Sequence, residues 1–232
     1  MAGKTTSPPE VRPLAAGELR AAAGLHGRGL PHEFLSRLGR RFLERYYRAF
    51  AESPHAAALA AADPGSGRVC GVLIGAFDVR AHYAFVIRRH GAALAAAVAF
   101  AALRDPRLLY LLVRTRLVRY LRGVLRSLAY GRAPLPGERE ARRVGLLASV
   151  VVEEGFRGAG LGRALVAEFE RRAWERGVEG LELVTLPDGR GAGPFYERLG
   201  WEPAGERVSR SGERYALYVR WPGGGPRRRA VG

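Results

Sequence analysis

Residues 150 to 165 read VVVEEGFRGAGLGRAL: an apolar run, three glycines in five positions, then the opening of an amphipathic segment. A chain that leaves a strand, turns through glycines and enters a helix presents its first helical amides without intrahelical partners. The helix dipole makes that end attractive to negative charge, and glycines let an anion approach with no Cβ in the way. The chemistry this suggests is capture of a phosphate by main-chain N–H groups; a ligand-free turn is the alternative. Spacing excludes two common versions of such a site. A dinucleotide fingerprint needs G-x-G-x-x-G, whereas the glycines here are Gly158, Gly160 and Gly162, followed by Arg163. A P-loop needs a Lys-Ser/Thr pair after its last glycine, and none is present. The pattern that remains is Arg-x-x-Gly-x-Gly, at Arg157, Gly160 and Gly162.

The flanking segments have the periodicities that such a turn requires. Residues 140–154 read as a strand, and 160–177 as a helix whose apolar face carries Leu161, Leu165, Val166, Phe169 and Trp174. Upstream, 11–19 reads as a short strand running into a helix. Residues 31–53 predict one helix, with Phe34, Leu38, Phe42, Leu43, Tyr46 and Phe50 at three- and four-residue steps and Pro31 in the first turn. Residues 56–63 and 68–79 read as a hairpin turning at 64–67, its second strand apolar on both faces as a central strand should be. Residues 80–137 read as an inserted helical hairpin. Its first arm, 92–103, is apolar all round; its second, 106–130, sets Arg119, Arg122 and Arg126 opposite an apolar stripe. Another strand, a short helix ended by Gly200 and a terminal hairpin turning at Ser211–Gly212 follow. The expected organisation is one domain over 9–221, the insertion at 80–137 within it, and a basic flexible tail at 222–232.

Composition bounds the rest. With 232 residues, 47% of them hydrophobic, the chain can bury a sizeable core. The lone Cys70 excludes a disulfide framework and a cysteine-based zinc site. The five histidines lack metal-ligand spacing, so no metal is expected, although His82 follows the third strand and could line an acceptor site. The net charge is +16, and residues 79–137 hold eleven arginines against one acid, Asp105. Lys4 is the only lysine, a bias that reads partly as compositional habit. Nucleic-acid binding and docking of the 106–130 helix on anionic lipid are therefore the weaker readings. The longest apolar stretch, 91–103, falls short of the roughly 20 residues that span a bilayer. No signal peptide is evident, a cytoplasmic setting is expected, and nothing specifies an oligomeric state.

The Arg157–Gly162 turn resembles the pyrophosphate-binding motif of the GCN5-related N-acetyltransferase (GNAT) superfamily. A second stretch, PDGRGAGPFYERLGWEPAG, resembles that family's aromatic helix signature, here Tyr196, Gly200 and Trp201. Together the two cover about residues 140–206. The resemblance implies a single α/β domain, a mixed and mostly antiparallel sheet flanked by helices, whose central strand bulges and splays from its neighbour. It also implies acetyl-CoA as cosubstrate and direct transfer of the acetyl group to a primary amine, on a small molecule or a peptide, in a ternary complex. Cofactor contacts would come from Val150, Val151 and Val152, the first and last through their main chain. The turn would add Arg157, Gly158, Ala159, Gly160, Leu161, Gly162 and Arg163, and the second signature Asp188 and Phe195. Asp188 precedes Gly189, where many relatives place an asparagine. Tyr196 matches the tyrosine that protonates the departing thiolate. The relatives' basic glutamate falls on Val184, which leaves Glu182, two positions away on the same strand face, and Glu153 or Glu154 as open alternatives. Arg80, Arg88 or Arg89 at the base of the insertion would favour an anionic acceptor. A catalytically inactive acyl-CoA-binding protein with a sensing or assembly role is the competing reading.

Overall fold

The computed structural model describes residues 10–31, 33–63, 65–105, 143–187, 191–208 and 212–224. In chain order the elements are β1 (Glu10–Pro13), α1 (Leu19–Gly29), α2 (Phe34–Arg37), α3 (Arg40–Glu52), β2 (Ala56–Ala62), β3 (Val69–Ala76) and α4 (Val79–Arg104). There follow β4 (Val144–Val152), α5 (Leu161–Glu175), β5 (Gly180–Thr185), α6 (Gly193–Arg198), β6 (Glu202–Val208) and β7 (Arg214–Arg220). The strands form one sheet in the order β1-β2-β3-β4-β5-β7-β6. Every pairing is antiparallel except β4 with β5. This is the mixed, mostly antiparallel α/β fold that the sequence implied.

Strand β3 is buried along its whole length, which is why it lacks the alternation of a one-sided strand. One face of the sheet takes α5 through Leu161, Leu165, Val166, Phe169 and Ala173. Phe169 is fully buried and stacks on Phe77 at 5.3 Å. The close approach depends on Gly75, where a Cβ would stand 2.3 Å from the Phe169 ring. The other face takes α1 and α3 through Leu19, Ala22, Leu25, Tyr47 and Phe50.

Two expectations are corrected. Residues 31–53 do not form one helix: Gly39 has φ +83° and separates α2 from α3. Backbone of that sign favours glycine, so the apolar repeat continues across a break that periodicity does not register. The helix after β3 starts at Val79, not near residue 92, because the Asp78 carboxylate accepts from the Ala81 N–H at 2.9 Å and caps it. Arg80, Arg88 and Arg89 interrupt the apolar run without interrupting the helix. At 26 residues, with a mean hydropathy of 1.4 over its most apolar window, α4 is long and apolar enough to cross a membrane. It packs on α3, with Leu94, Ala97, Val98 and Ala101 against Leu38, Phe42 and Leu43. The second arm of the expected hairpin, 106–130, lies outside the described residues.

Candidate active site

The site begins where β4 parts from β5. The two strands pair from Val144–Gly180 to Leu146–Glu182 and no further, although β4 runs on to Val152 and β5 to Thr185. The cause is on the opposite edge. Ser149 pairs with Ile74 and Leu147 with Gly75, so Ala148 has no counterpart on β3 and forms a bulge. A bulge bends its strand and sharpens its twist, which carries β4 away from β5. Past it, the Glu153 N–H donates to the Cys70 carbonyl at 2.8 Å, on the β3 side. Alternation then turns the main-chain groups of Val152 and Val150 towards the opening. Unpaired strand groups at such an edge are available to a ligand that brings matching donors and acceptors. The Val151 side chain points instead into the core under α1.

Beyond β4, a 3₁₀ turn over Glu154–Phe156 leads into the glycines. Gly158 and Gly160 have φ of +81° and +83°, and a Cβ at either would meet nothing within 4 Å. Their role is conformational, and the space beside them is open. Gly160 is the N-cap of α5, where no side chain caps the helix. The first intrahelical bond runs from the Ala164 N–H to the Gly160 carbonyl, leaving the amides of Leu161, Gly162 and Arg163 without helical partners. Gly162 serves packing: a Cβ there would lie 3.2 Å from the Phe195 ring. The exposed Arg157 side chain turns back to the Val152 carbonyl at 3.4 Å.

Across the opening, α6 carries Phe195 and Tyr196. Gly193 lets it sit against Tyr218, whose hydroxyl would be 2.5 Å from a Cβ. Gly200, at φ +81°, ends it. Tyr196 is buried among Phe195 at 5.1 Å, Trp201 at 5.7 Å and Tyr218 at 6.4 Å. Trp201 is anchored by donating to Glu170 at 2.8 Å. The Tyr196 hydroxyl makes no hydrogen bond among the described residues. Burial, and then the charge of Glu33, push its pKa well above the usual tyrosine range.

Of the three glutamates considered as bases, Glu153 and Glu182 are held by arginines. Glu153 pairs with Arg68 at 2.8 Å, and the Arg68 guanidinium also lies over the Phe156 ring at 5.5 Å. Glu182 accepts both Arg207 nitrogens, at 3.2 and 2.8 Å, across the β6–β7 hairpin. Asp188 lies outside the described residues. His82 is buried against Phe50 at 4.2 Å, and burial holds its pKa down to about 4. Among the described residues no group of three His, Cys, Asp or Glu side chains could hold a metal ion. The spacing of the residues did not signal the cluster of His26, Glu33 and Tyr47. Tyr47 stands 21 residues from His26, and only the packing of α1 on α3 brings the two together.

A bulged, splayed strand followed by an uncapped glycine turn suits a ligand with a diphosphate at one end and an amide-bearing arm at the other. The family model for the acetyltransferase (GNAT) family matches residues 30–201. The chain belongs to that family. Solved GNAT-type structures share its fold at low identity. One is described as histone acetyltransferase HPA2 and related acetyltransferase, from Corynebacterium glutamicum. It superposes with a TM-score of 0.54 at 18% identity, over 95% of this chain and 99% of that one. The ribosomal-protein-S18-alanine N-acetyltransferase of Escherichia coli gives 0.53 at 13% identity, over 95% and 98%. An aminoglycoside 6'-acetyltransferase type Ii gives 0.53 at 15% identity, over 91% and 96%. Curated protein sequences yield no match to the chain. Enzymes of the GNAT family use acetyl-CoA, and the open amides of the α5 turn fit the diphosphate of such a cosubstrate.

Proposed function

We propose that this GNAT protein transfers the acetyl group of acetyl-CoA to a primary amine by direct attack in a ternary complex. The observation that carries this reading is the coincidence of two backbone sites: the β4 edge beyond Leu146, left by β5 and reached at Val152 by the exposed Arg157 side chain, and the uncapped start of α5. In it, the amides of Gly158 and of Gly160 to Arg163 hold the diphosphate, the Ala159 N–H being taken by the Phe156 carbonyl at 3.4 Å. The main chain of Val150 and Val152 pairs with the pantetheine arm, with Phe195 packing beside the turn. This fixes the thioester beside Tyr196, and most of the acceleration comes from holding amine and thioester together. As the amine attacks the carbonyl and the C–S bond breaks, Tyr196 gives its proton to the leaving sulfur. The attacking nitrogen loses a proton, and the phenol is restored. A phenol pushed above its ordinary range is fully protonated at neutral pH, as an acid in this role must be.

The test is thiol release from acetyl-CoA across a panel of amines, with Tyr196→Phe alongside. The expected result is amine-dependent release that falls by about 10²–10⁴-fold in kcat in the variant, while CoA affinity is little changed. Tight CoA binding with no release for any amine would favour the inactive binding protein instead.

A further inference from the structure

Beyond Glu182, β5 keeps β7 on one side and loses β4 on the other. Its pairing with β7 continues to Thr185–Ala216, whereas its pairing with β4 ends at Leu146–Glu182. The main chain from Leu183 to Thr185 therefore borders the opening on the side across from β4. Side chains of a strand alternate between its faces, and here the two faces differ. Leu181 and Leu183 are buried in the core beneath α5, and the Thr185 hydroxyl accepts from the Ala192 N–H at 3.0 Å, next to α6. Glu182 and Val184 point the other way. Val184 is 43% exposed, and Leu186, just past the strand, is 47% exposed. Apolar side chains scattered over a surface are ordinary. These two are not scattered: they follow one another where β5 has lost its neighbour.

The charge on this face is already compensated. Glu182, two residues before Val184, accepts both Arg207 nitrogens, and Glu153 at the end of β4 is paired with Arg68. An acceptor that brought a second charge against Val184 and Leu186 would give up hydration for an apolar surface. A hydrocarbon body gains by covering the same side chains. Apolar surroundings also favour the neutral form of an amine, which is the form that must attack the thioester. Arg80, Arg88 and Arg89 on α4 would instead favour an anionic acceptor, so the two expectations are separated by the charge of the ligand.

We propose that Val184, with Leu186 beside it, is the acceptor wall of this cleft and selects primary amines carried on an uncharged, apolar body. The inference rests on the cleft being an acyl-transfer site and names the class of acceptor. Val184 is a specificity residue: it covers the body of the acceptor and takes no part in moving the acyl group or a proton.

The test is calorimetric titration of the full chain, saturated with CoA, with hexylamine, 1,5-diaminopentane and 5-aminopentanoate. These are nearly equal in length and end in a methyl, an ammonium and a carboxylate. Hexylamine is expected to bind about tenfold more tightly than either of the others. Val184 is half-exposed and threonine is a β-branched isostere suited to a strand, so Val184→Thr keeps the fold. It is expected to narrow the gap to about threefold. Val184→Glu is expected to place the diamine ahead of hexylamine; should it fail to fold, Val184→Thr decides alone. Equal binding of the three, binding of none, or a lead for the diamine or the amino acid in wild type overturns the proposal. So does an order that survives unchanged in the variants; if their CoA affinity falls instead, the wall belongs to the pantetheine arm. Thiol release from acetyl-CoA separates this from the reading beneath it. A hexylamine preference without release keeps the wall and defeats acyl transfer, and release without that preference does the reverse.

Discussion

Tyr196 sits in a cage of Phe195, Trp201 and Tyr218 that excludes water from its ring and leaves its hydroxyl unpaired among the described residues. Burial and the Glu33 carboxylate both disfavour the phenolate, so the proton stays on beyond the ordinary tyrosine range. The sign of the pH effect follows. As pH rises from neutral towards roughly 10, the acid remains protonated while the amine loses its proton, so kcat/KM is expected to climb with no falling limb from Tyr196. A pH–rate profile for wild type and Tyr196→Phe checks this: a limb that appears near the ordinary tyrosine value and vanishes in the variant would contradict it. The candidacy of Tyr196 came with the family resemblance that the Tyr-x-x-x-Gly-aromatic signature carries. The raised pKa was not, since it arises from residues brought together by α6, β7 and the α1–α2 turn.

Among the elements, the start of α5 offers the sharpest separation of charge from shape. Gly160 adopts a left-handed backbone with open space around its missing side chain. Asn and Asp tolerate that conformation better than other residues and are equal in size. Gly160→Asn and Gly160→Asp are expected to have thermal midpoints within a few degrees of each other. The aspartate variant is expected to bind CoA about fivefold to tenfold more weakly than the asparagine variant, a gap that closes with added salt. Equal affinity at low salt would show that no anion is held at this turn. The strand–turn–helix unit was readable because glycines, apolar run and amphipathic repeat lie within about thirty residues. The glutamates illustrate the converse. Glu153 and Glu182 were open alternatives for the base, and their partners Arg68 and Arg207 stand 85 and 25 residues away. Gly39 was overlooked for a related reason, since the apolar repeat on either side of it kept its phase.

For the whole molecule, stability depends on the layer between α5 and the sheet. Phe169→Ala would leave a hole beside Phe77 and Gly75 that the sheet cannot fill. The expected loss is about 3–5 kcal/mol, read as a drop of about 10 °C in thermal midpoint. A drop of only a degree or two would show that the layer relaxes. A second reading of the same fold comes from pH. Arg171 and Arg172 hold the Glu168 carboxyl down to about 2, against an ordinary value of 4.5. A group that is more acidic when folded contributes fully above its ordinary value and loses that contribution as pH falls through its folded value. The thermal midpoint of wild type is therefore expected to fall more steeply between about pH 4.5 and 2 than that of Glu168→Gln. Parallel curves would remove Glu168 from the account.

The order of the elements, the glycine turn and the aromatic helix were set by local pattern, because each depends on residues within a few turns of one another. Family membership was legible for the same reason. The opening itself was decided only in three dimensions, by a bulge that needs β3 beside β4 and by pairing with β5 that stops at Leu146. So was the raised pKa of Tyr196, since burial and a distant carboxylate's charge act through space and the intervening chain gives no sign of either.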